Sequence, residues 1–182
     1  MEFEPTSIPD VVLIRPRVFG DERGHFFECW QERRFAAAGL EVCFRQDNES
    51  FSRRHVLRGI HYQLRRPQGK LVRVVSGAVL DVAVDLRRSS PTFGKWVARE
   101  LSQDTHEMLW VPPGFGHGFL VLSESAYFLY KCTDFYVPED EQVIGWDDPD
   151  LKIDWRLPPG AQPILSERDR VAKPFREAEY YG

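Results

Sequence analysis

Apolar and polar positions alternate in short runs along most of the chain, instead of recurring at the three-to-four spacing of helices. VVLIRP, from Val11 to Pro16, predicts a strand, and Asp21 to Gly24 a turn into a second strand, HFFEC. One early helix is expected, Gln31 to Ala38, closed by Gly39 as its C-cap. From Cys43 onward the runs CFRQDNESF, VLRGIHYQ, KLVRVV, VLDVAVDL, KWVARELS, EMLWV, GFLVLS and YFLYKCTDFY follow one another, separated by Gly, Pro, Ser and Asp. Roughly ten short strands, with almost no helix to carry parallel crossovers, predict an all-β fold of antiparallel strands in a sandwich or barrel. The Pro-, Asp- and Gly-rich segment from Asp147 is expected to wrap over that barrel before a short helix at Ser166 to Val171. There is no internal repeat.

The cleanest alternation lies between Val79 and Leu86. Leu80, Val82, Val84 and Leu86 take one face of that strand, and Asp81, Ala83 and Asp85 take the other. Burying two carboxylates costs several kcal/mol each unless cations or donors match them. The second face is therefore either solvated or part of a polar cavity, and periodicity leaves both open.

Composition narrows the class. With 182 residues, 42% hydrophobic and 29% charged, the chain reads as one globular domain, residues 1–182, able to bury a sizeable core. MEFEPTSIPD is acidic and lacks an apolar leader core, and no apolar run approaches a membrane span, so an unexported, cytoplasmic protein without membrane association is expected. Cys29, Cys43 and Cys132 are odd in number and far apart, which fits free thiols. The net charge of -4 argues against a general nucleic-acid binder. Against that acidic background, Arg53 to Arg73 holds seven Lys or Arg and no Asp or Glu. Such a local inversion of sign suggests an anion site, with His61 inside it and Lys70 opening the next run beyond a turn at Pro67 to Gly69. A base and a cation are expected on neighbouring strands.

WVPPGFGHGF contains P-x-G-x-x-H as Pro112, Gly114 and His117, which resembles the turn and ligand histidine of the second cupin motif. The first motif of metal-binding cupins supplies a His-x-His pair and a Glu, whereas here the matching place reads Gly59, Ile60, His61, Tyr62, Gln63. Three or four ligands are needed to hold a catalytic divalent ion, so the reading is a cupin-type jelly-roll barrel with no metal.

RGIHYQ, QGKLVRVVSGAVLDVAVDLR, SPTFGKW, PPGFGHGF, FLYKCTDFYVP, WDDPDLKIDW and LSERD together resemble the dTDP-4-dehydrorhamnose 3,5-epimerase family over residues 5 to 176. The resemblance implies epimerisation at carbons 3 and 5 of dTDP-4-dehydro-6-deoxy-D-glucose to give dTDP-4-dehydro-L-rhamnose, by proton abstraction beside the ketone and reprotonation from the opposite face. It implies His61 as base with Asp169 on its other ring nitrogen, Tyr130 as acid, Lys70 as donor to the enolate oxygen, His117 near the ketone and Asp81 near Lys70. It places Arg23, Glu28, Gln46, Asn48 and Arg58 around the sugar and diphosphate, with Phe26 and Tyr136 flanking the thymine ring. Glu141 and Arg168 fall on further binding positions, although the family commonly carries Lys where this chain has Arg168. A homodimer and the absence of any cofactor are implied as well.

The residues also admit plainer readings. His117 could satisfy turn carbonyls, and His25, His55 and His106 are read as structural. Ser166-x-x-Asp169 is a capping-box pattern, and one carboxylate is not expected to fill both the cap and the imidazole partnership well. Arg53, Arg54, Arg65 and Arg66 read as a solvated rim. Arg58 and His61 fall on opposite faces of an ideal strand, so both reach a ligand only if Gly59 marks a bulge. Rival functions are an epimerase acting at carbon 3 or carbon 5 alone, a metal-dependent cupin, and a non-catalytic nucleotide-sugar binding module.

Overall fold

A computed structural model describes residues 1–182. The first half of the chain forms β1 (Glu2–Pro5), β2 (Val12–Arg15), β3 (Phe19–Asp21), β4 (Gly24–Phe26), α1 (Glu32–Ala37), β5 (Gln46–Arg53), β6 (Leu57–Gln63), β7 (Lys70–Ser76) and β8 (Ala78–Asp85). The second half adds β9 (Trp96–Ser102), β10 (Met108–Val111), β11 (Phe115–Val121), β12 (Ser125–Cys132), β13 (Glu141–Val143) and α2 (Glu167–Arg170). All pairings between these strands are antiparallel. They make a six-stranded sheet, β1-β2-β10-β7-β12-β5, a five-stranded sheet, β13-β6-β11-β8-β9, and a separate β3-β4 hairpin. The two large sheets face one another as a jelly roll and remain open, without hydrogen bonds closing them into one barrel.

Three apolar layers hold this arrangement. Between the sheets lie Val72, Val74, Leu109, Phe119 and Phe128 among others, the main core. Outside the five-stranded sheet, Leu80, Val82, Val84 and Leu86 are covered by Leu151, Trp155 and Ala178, so the C-terminal segment wraps this face as its composition suggests. Outside the six-stranded sheet, Val12, Ile14, Leu71 and Trp110 pack under Phe35 of α1.

This covering resolves the open question about β8. Its aliphatic face is buried under the C-terminal wrap, which leaves Asp81, Ala83 and Asp85 pointing between the sheets, with both carboxylates at 0% exposure. The solvated reading is excluded: the carboxylates are buried against polar partners, Asp81 on His117 and Asp85 on Arg87, Ser90 and Thr92.

Helix α1 ends as its sequence indicates. Gly39 has φ +83°, and the N–H groups of Gly39 and Leu40 donate to Ala36 O and Phe35 O at 2.9 Å each, a Schellman closure. Other elements depart from the sequence pattern. β11 starts at Phe115 rather than Gly118, because pairing with β8 from Phe115↔Asp85 to Val121↔Val79 overrides the turn propensity of its glycines. β1 and β13, too short and polar to show a period, are fixed by their partners β2 and β6. β4 stops at Phe26, short of the expected HFFEC strand.

Candidate active site

The inner faces of the two sheets converge on a cavity of about 80 Å³ lined by Ser50, Arg58, His61, Lys70, His117, Phe119, Phe128 and Tyr130. The strands of His61 and Lys70 are consecutive but are not neighbours: β6 belongs to the five-stranded sheet and β7 to the six-stranded one. The expected neighbouring-strand arrangement is therefore corrected. Residues 64–69 cross between the layers, so base and cation approach the cavity from opposite walls.

Arg58 and His61 do line the same cavity, because the strand slips by one residue between them. His61 pairs with His117 and Arg58 with Phe119, three residues of β6 against two of β11. Gly59 makes this possible. Its φ is +126°, and a Cβ there would meet Gly118 Cα at 2.5 Å.

His61 Nε2 lies 2.6 Å from Asp169 Oδ1, while Nδ1 is 3.9 Å from Glu141 Oε1. An ionised Asp169 accepts a hydrogen bond from Nε2–H, which leaves the lone pair of Nδ1 free. Ser166 Oγ caps α2 by accepting from the Asp169 N–H at 3.2 Å, and donates its own proton to Asp169 Oδ2 at 2.6 Å. The carboxylate thus takes the dyad role rather than the capping-box one: Ser166 Oγ, not Asp169, meets the helix N–H, and Asp169 accepts from His61 and from the capping hydroxyl. Gly59 N–H adds a third donor at 3.3 Å. Burial works to raise this carboxyl, but His61, Ser166 and Gly59 outweigh it and hold Asp169 below the usual carboxylate range.

Across the cavity, Lys70 Nζ is 6.0 Å from the centre of the Tyr130 ring, and the two lie on adjacent strands of one sheet. As the pattern indicates, Tyr130 shares the inner face with Phe128 and Cys132, and Lys131 turns outward to Asp47. Burial lowers the Lys70 ammonium from the usual lysine value, with the Cys132 and Asp81 side chains opposing that shift. Burial raises the Tyr130 hydroxyl. His117 sits in β11 and, instead of serving turn carbonyls, directs Nε2 at Asp81 Oδ2, 2.9 Å away. Desolvation lowers His117, against the pull of Asp81, which favours a neutral imidazole. The other oxygen, Asp81 Oδ1, is buried and has no partner.

The remaining predicted residues divide into two groups. Gln46 and Asn48 follow the inner face of β5, with Gln46 Oε1 accepting from the Tyr136 N–H at 2.9 Å. Tyr136 donates its hydroxyl to Glu141 Oε2 at 3.1 Å, and Arg168 donates to the Tyr136 hydroxyl at 2.8 Å and pairs with Glu141. This cluster therefore borders His61 through Glu141. Arg23, Phe26 and Glu28 lie elsewhere: Arg23 pairs with Asp21, Phe26 is 67% exposed, and Glu28 pairs with Arg34 at 3.4 Å. Within one chain, the β3-β4 hairpin and the residues after it do not line the cavity.

Sequence reasoning omitted Ser50, Phe119 and Phe128 from the site. The signal for Phe119 and Phe128 was present in the alternation of their strands, but it equally marks core residues. No group of three or more His, Cys, Asp or Glu side chains is placed to hold a metal ion, and no helix is long and apolar enough to cross a membrane.

Comparison with known proteins gives a consistent result. The family model described as dTDP-4-dehydrorhamnose 3,5-epimerase matches residues 5–177. A protein of that name from Pseudomonas aeruginosa is 58% identical over 176 residues, covering 96% of each chain. One from Methanothermobacter thermautotrophicus is 50% identical over 98% of this chain and 97% of its own length. Among solved structures, the dTDP-6-deoxy-D-glucose-3,5-epimerase of Legionella pneumophila, crystallised with dTDP-4-keto-L-rhamnose, superposes with a TM-score of 0.94 at 48% identity, covering 98% of this chain and 94% of that one.

Proposed function

This chain belongs to the dTDP-4-dehydrorhamnose 3,5-epimerase family, and from that membership we propose that it converts dTDP-4-dehydro-6-deoxy-D-glucose to dTDP-4-dehydro-L-rhamnose without a cofactor. The observation that carries this reading is the facing of an imidazole held by Asp169, that of His61, against Tyr130 and Lys70 in one cavity. His61 Nδ1 removes the proton from the carbon beside the ketone. The electron pair moves into the ring and leaves an enolate oxygen at carbon 4, which Lys70 and the neutral His117 stabilise. Tyr130 then returns a proton to the same carbon from the opposite face, which inverts it. His61 then releases its proton to solvent and the Tyr130 phenolate takes one up, after which the same cycle serves the carbon on the other side of the ketone.

Magnitudes support this division of labour. A positioned acid or base contributes roughly 10² to 10⁴-fold, and an aimed oxyanion donor about 2.7–4 kcal/mol. Glu141, 3.9 Å from Nδ1, adds negative charge where the imidazolium forms. Arg58 and Arg168 supply cations for the diphosphate, and Gln46, Asn48 and Tyr136 supply polar and stacking contacts.

The enzyme acts as a homodimer in this reading. Family resemblance assigns Arg23, Phe26 and Glu28 to the ligand, yet in one chain they lie on or just after an exposed hairpin away from the cavity, so a second copy is the natural source. Exposed Phe51, Val75 and Tyr127 on the outside of the six-stranded sheet suit burial against that copy. Residues 1–182 function as one domain in the cytoplasm, a location that suits the three free thiols.

Incubation with the keto-sugar nucleotide in deuterated water tests the chemistry. Deuterium at carbons 3 and 5 by NMR is expected. Label at one carbon only identifies a single-site epimerase, and binding without label a non-catalytic module.

A further inference from the structure

The inner face of β5 is polar at every second position: Gln46, Asn48, Ser50 and Ser52. Three of these four have partners within the chain. Gln46 Nε2 donates to Asn48 Oδ1 at 2.9 Å, Asn48 Nδ2 donates to Cys132 Sγ at 3.6 Å, and Ser52 Oγ accepts from Arg58 Nε and Nη2 at 3.2 Å each. Ser50 has none. Its hydroxyl oxygen is occluded from solvent and unpartnered, although the residue lines the cavity directly opposite Phe128 on β12. Native proteins rarely leave a buried hydroxyl unpaired, because desolvating it without a replacement bond is unfavourable. The cavity wall therefore carries a hydroxyl whose hydrogen-bonding capacity the chain itself leaves unused.

The substrate proposed above has few groups left to meet it. Its ketone is taken by Lys70 and His117, carbon 1 carries the diphosphate, and the methyl at carbon 6 suits the stacked rings of Phe119 and Phe128, 4.2 Å apart. The hydroxyls on carbons 2 and 3 remain. Apart from Tyr130, Ser50 is the only side-chain hydroxyl lining the cavity. We propose that Ser50 is a specificity-determining residue whose hydroxyl bonds a ring hydroxyl of the sugar at carbon 2 or carbon 3, beside a reacting centre. This rests on the epimerase reading. Ser50 holds the ring so that the carbon to be inverted stays between His61 and Tyr130, and it favours sugars that keep the hydroxyls on carbons 2 and 3 over those lacking the one it contacts.

The test compares wild type, Ser50→Ala and Ser50→Thr on three nucleotide-linked keto sugars: the parent, its 2-deoxy form and its 3-deoxy form, with kcat/KM read from deuterium uptake. For the parent, Ser50→Ala is expected to lose about tenfold, while for one deoxy sugar it matches wild type, which identifies the hydroxyl contacted. Ser50→Thr retains the preference for the parent. The melting temperature of Ser50→Ala stays level or rises, since no bond within the free enzyme is lost. An equal loss on all three sugars, no loss on the parent, or a loss accompanied by a lower melting temperature overturns the proposal. Absence of deuterium uptake by wild type on the parent overturns the epimerase reading itself, and this proposal with it.

Discussion

Asp81 and Asp85 stand four residues apart on the inner face of β8, both at 0% exposure, yet their surroundings are opposite in kind. Asp85 is saturated. Arg87 donates to it through its backbone N–H at 3.0 Å, Nε at 2.9 Å and Nη2 at 2.7 Å, and Ser90 and Thr92 add hydroxyls at 2.6 Å each. Burial works against the charge, but these donors prevail and hold the carboxyl down to about 2. Asp81 receives one bond from His117 and keeps an oxygen unpaired, with Lys70 near enough to be influenced by its charge. A buried carboxylate whose every lone pair is met by its own chain locks the fold. One left incompletely met is available to chemistry.

The largest effect is expected at Asp85. Asp85→Ala leaves Arg87 partly buried without its main partner, and loss of such a pair costs about 3–5 kcal/mol, or roughly 6–20 °C in melting temperature for a chain of this size. Thermal unfolding should show that drop with kcat unchanged in the folded fraction. The wild-type contribution has a definite pH sign: because the folded carboxyl is depressed, its stabilisation is complete above the ordinary value of 3.8 and is lost as pH falls toward about 2. A mutant lacking the carboxylate should show a shallower loss of stability across that window.

At the other end, Lys70→Met removes the cation beside Asp81. A loss of about 2.7–4 kcal/mol of transition-state stabilisation is expected as a fall of roughly 10² to 10³-fold in kcat, with the melting temperature maintained because a desolvated ammonium has gone. Unchanged kcat would remove Lys70 from the mechanism. Its depressed pKa also fixes the alkaline limb. Activity should fall as pH rises through a value below the ordinary 10.5, while Tyr130, pushed upward by burial, remains protonated. Lys70→Arg, if active, should move that limb to higher pH.

The smallest effect separates charge from geometry. Asp81→Asn keeps an acceptor for His117 but removes the negative charge near Lys70, so kcat should fall about tenfold with stability nearly constant. A large fall in melting temperature would make Asp81 a structural lock like Asp85 and erase the contrast.

Much of this molecule is legible from its residues alone. Period-two runs specify an antiparallel all-β fold, the Gly39 closure of α1 is readable from its residue, and His61, Lys70, Tyr130, His117 and Arg58 stand in sequence blocks that mark them as site residues. These features were legible because each depends on local alternation, a turn residue or a recognisable block. Tertiary structure alone decided which face of β8 points between the sheets, that His61 and Lys70 approach from opposite sheets, and that Asp169 partners the imidazole while Ser166 caps the helix. It also decided that Arg23, Phe26 and Glu28 stay away from the cavity of their own chain. The physical reason is the same throughout: a strand period tells which residues share a face, but only the layer packed against that face tells whether it is core, pocket or solvent.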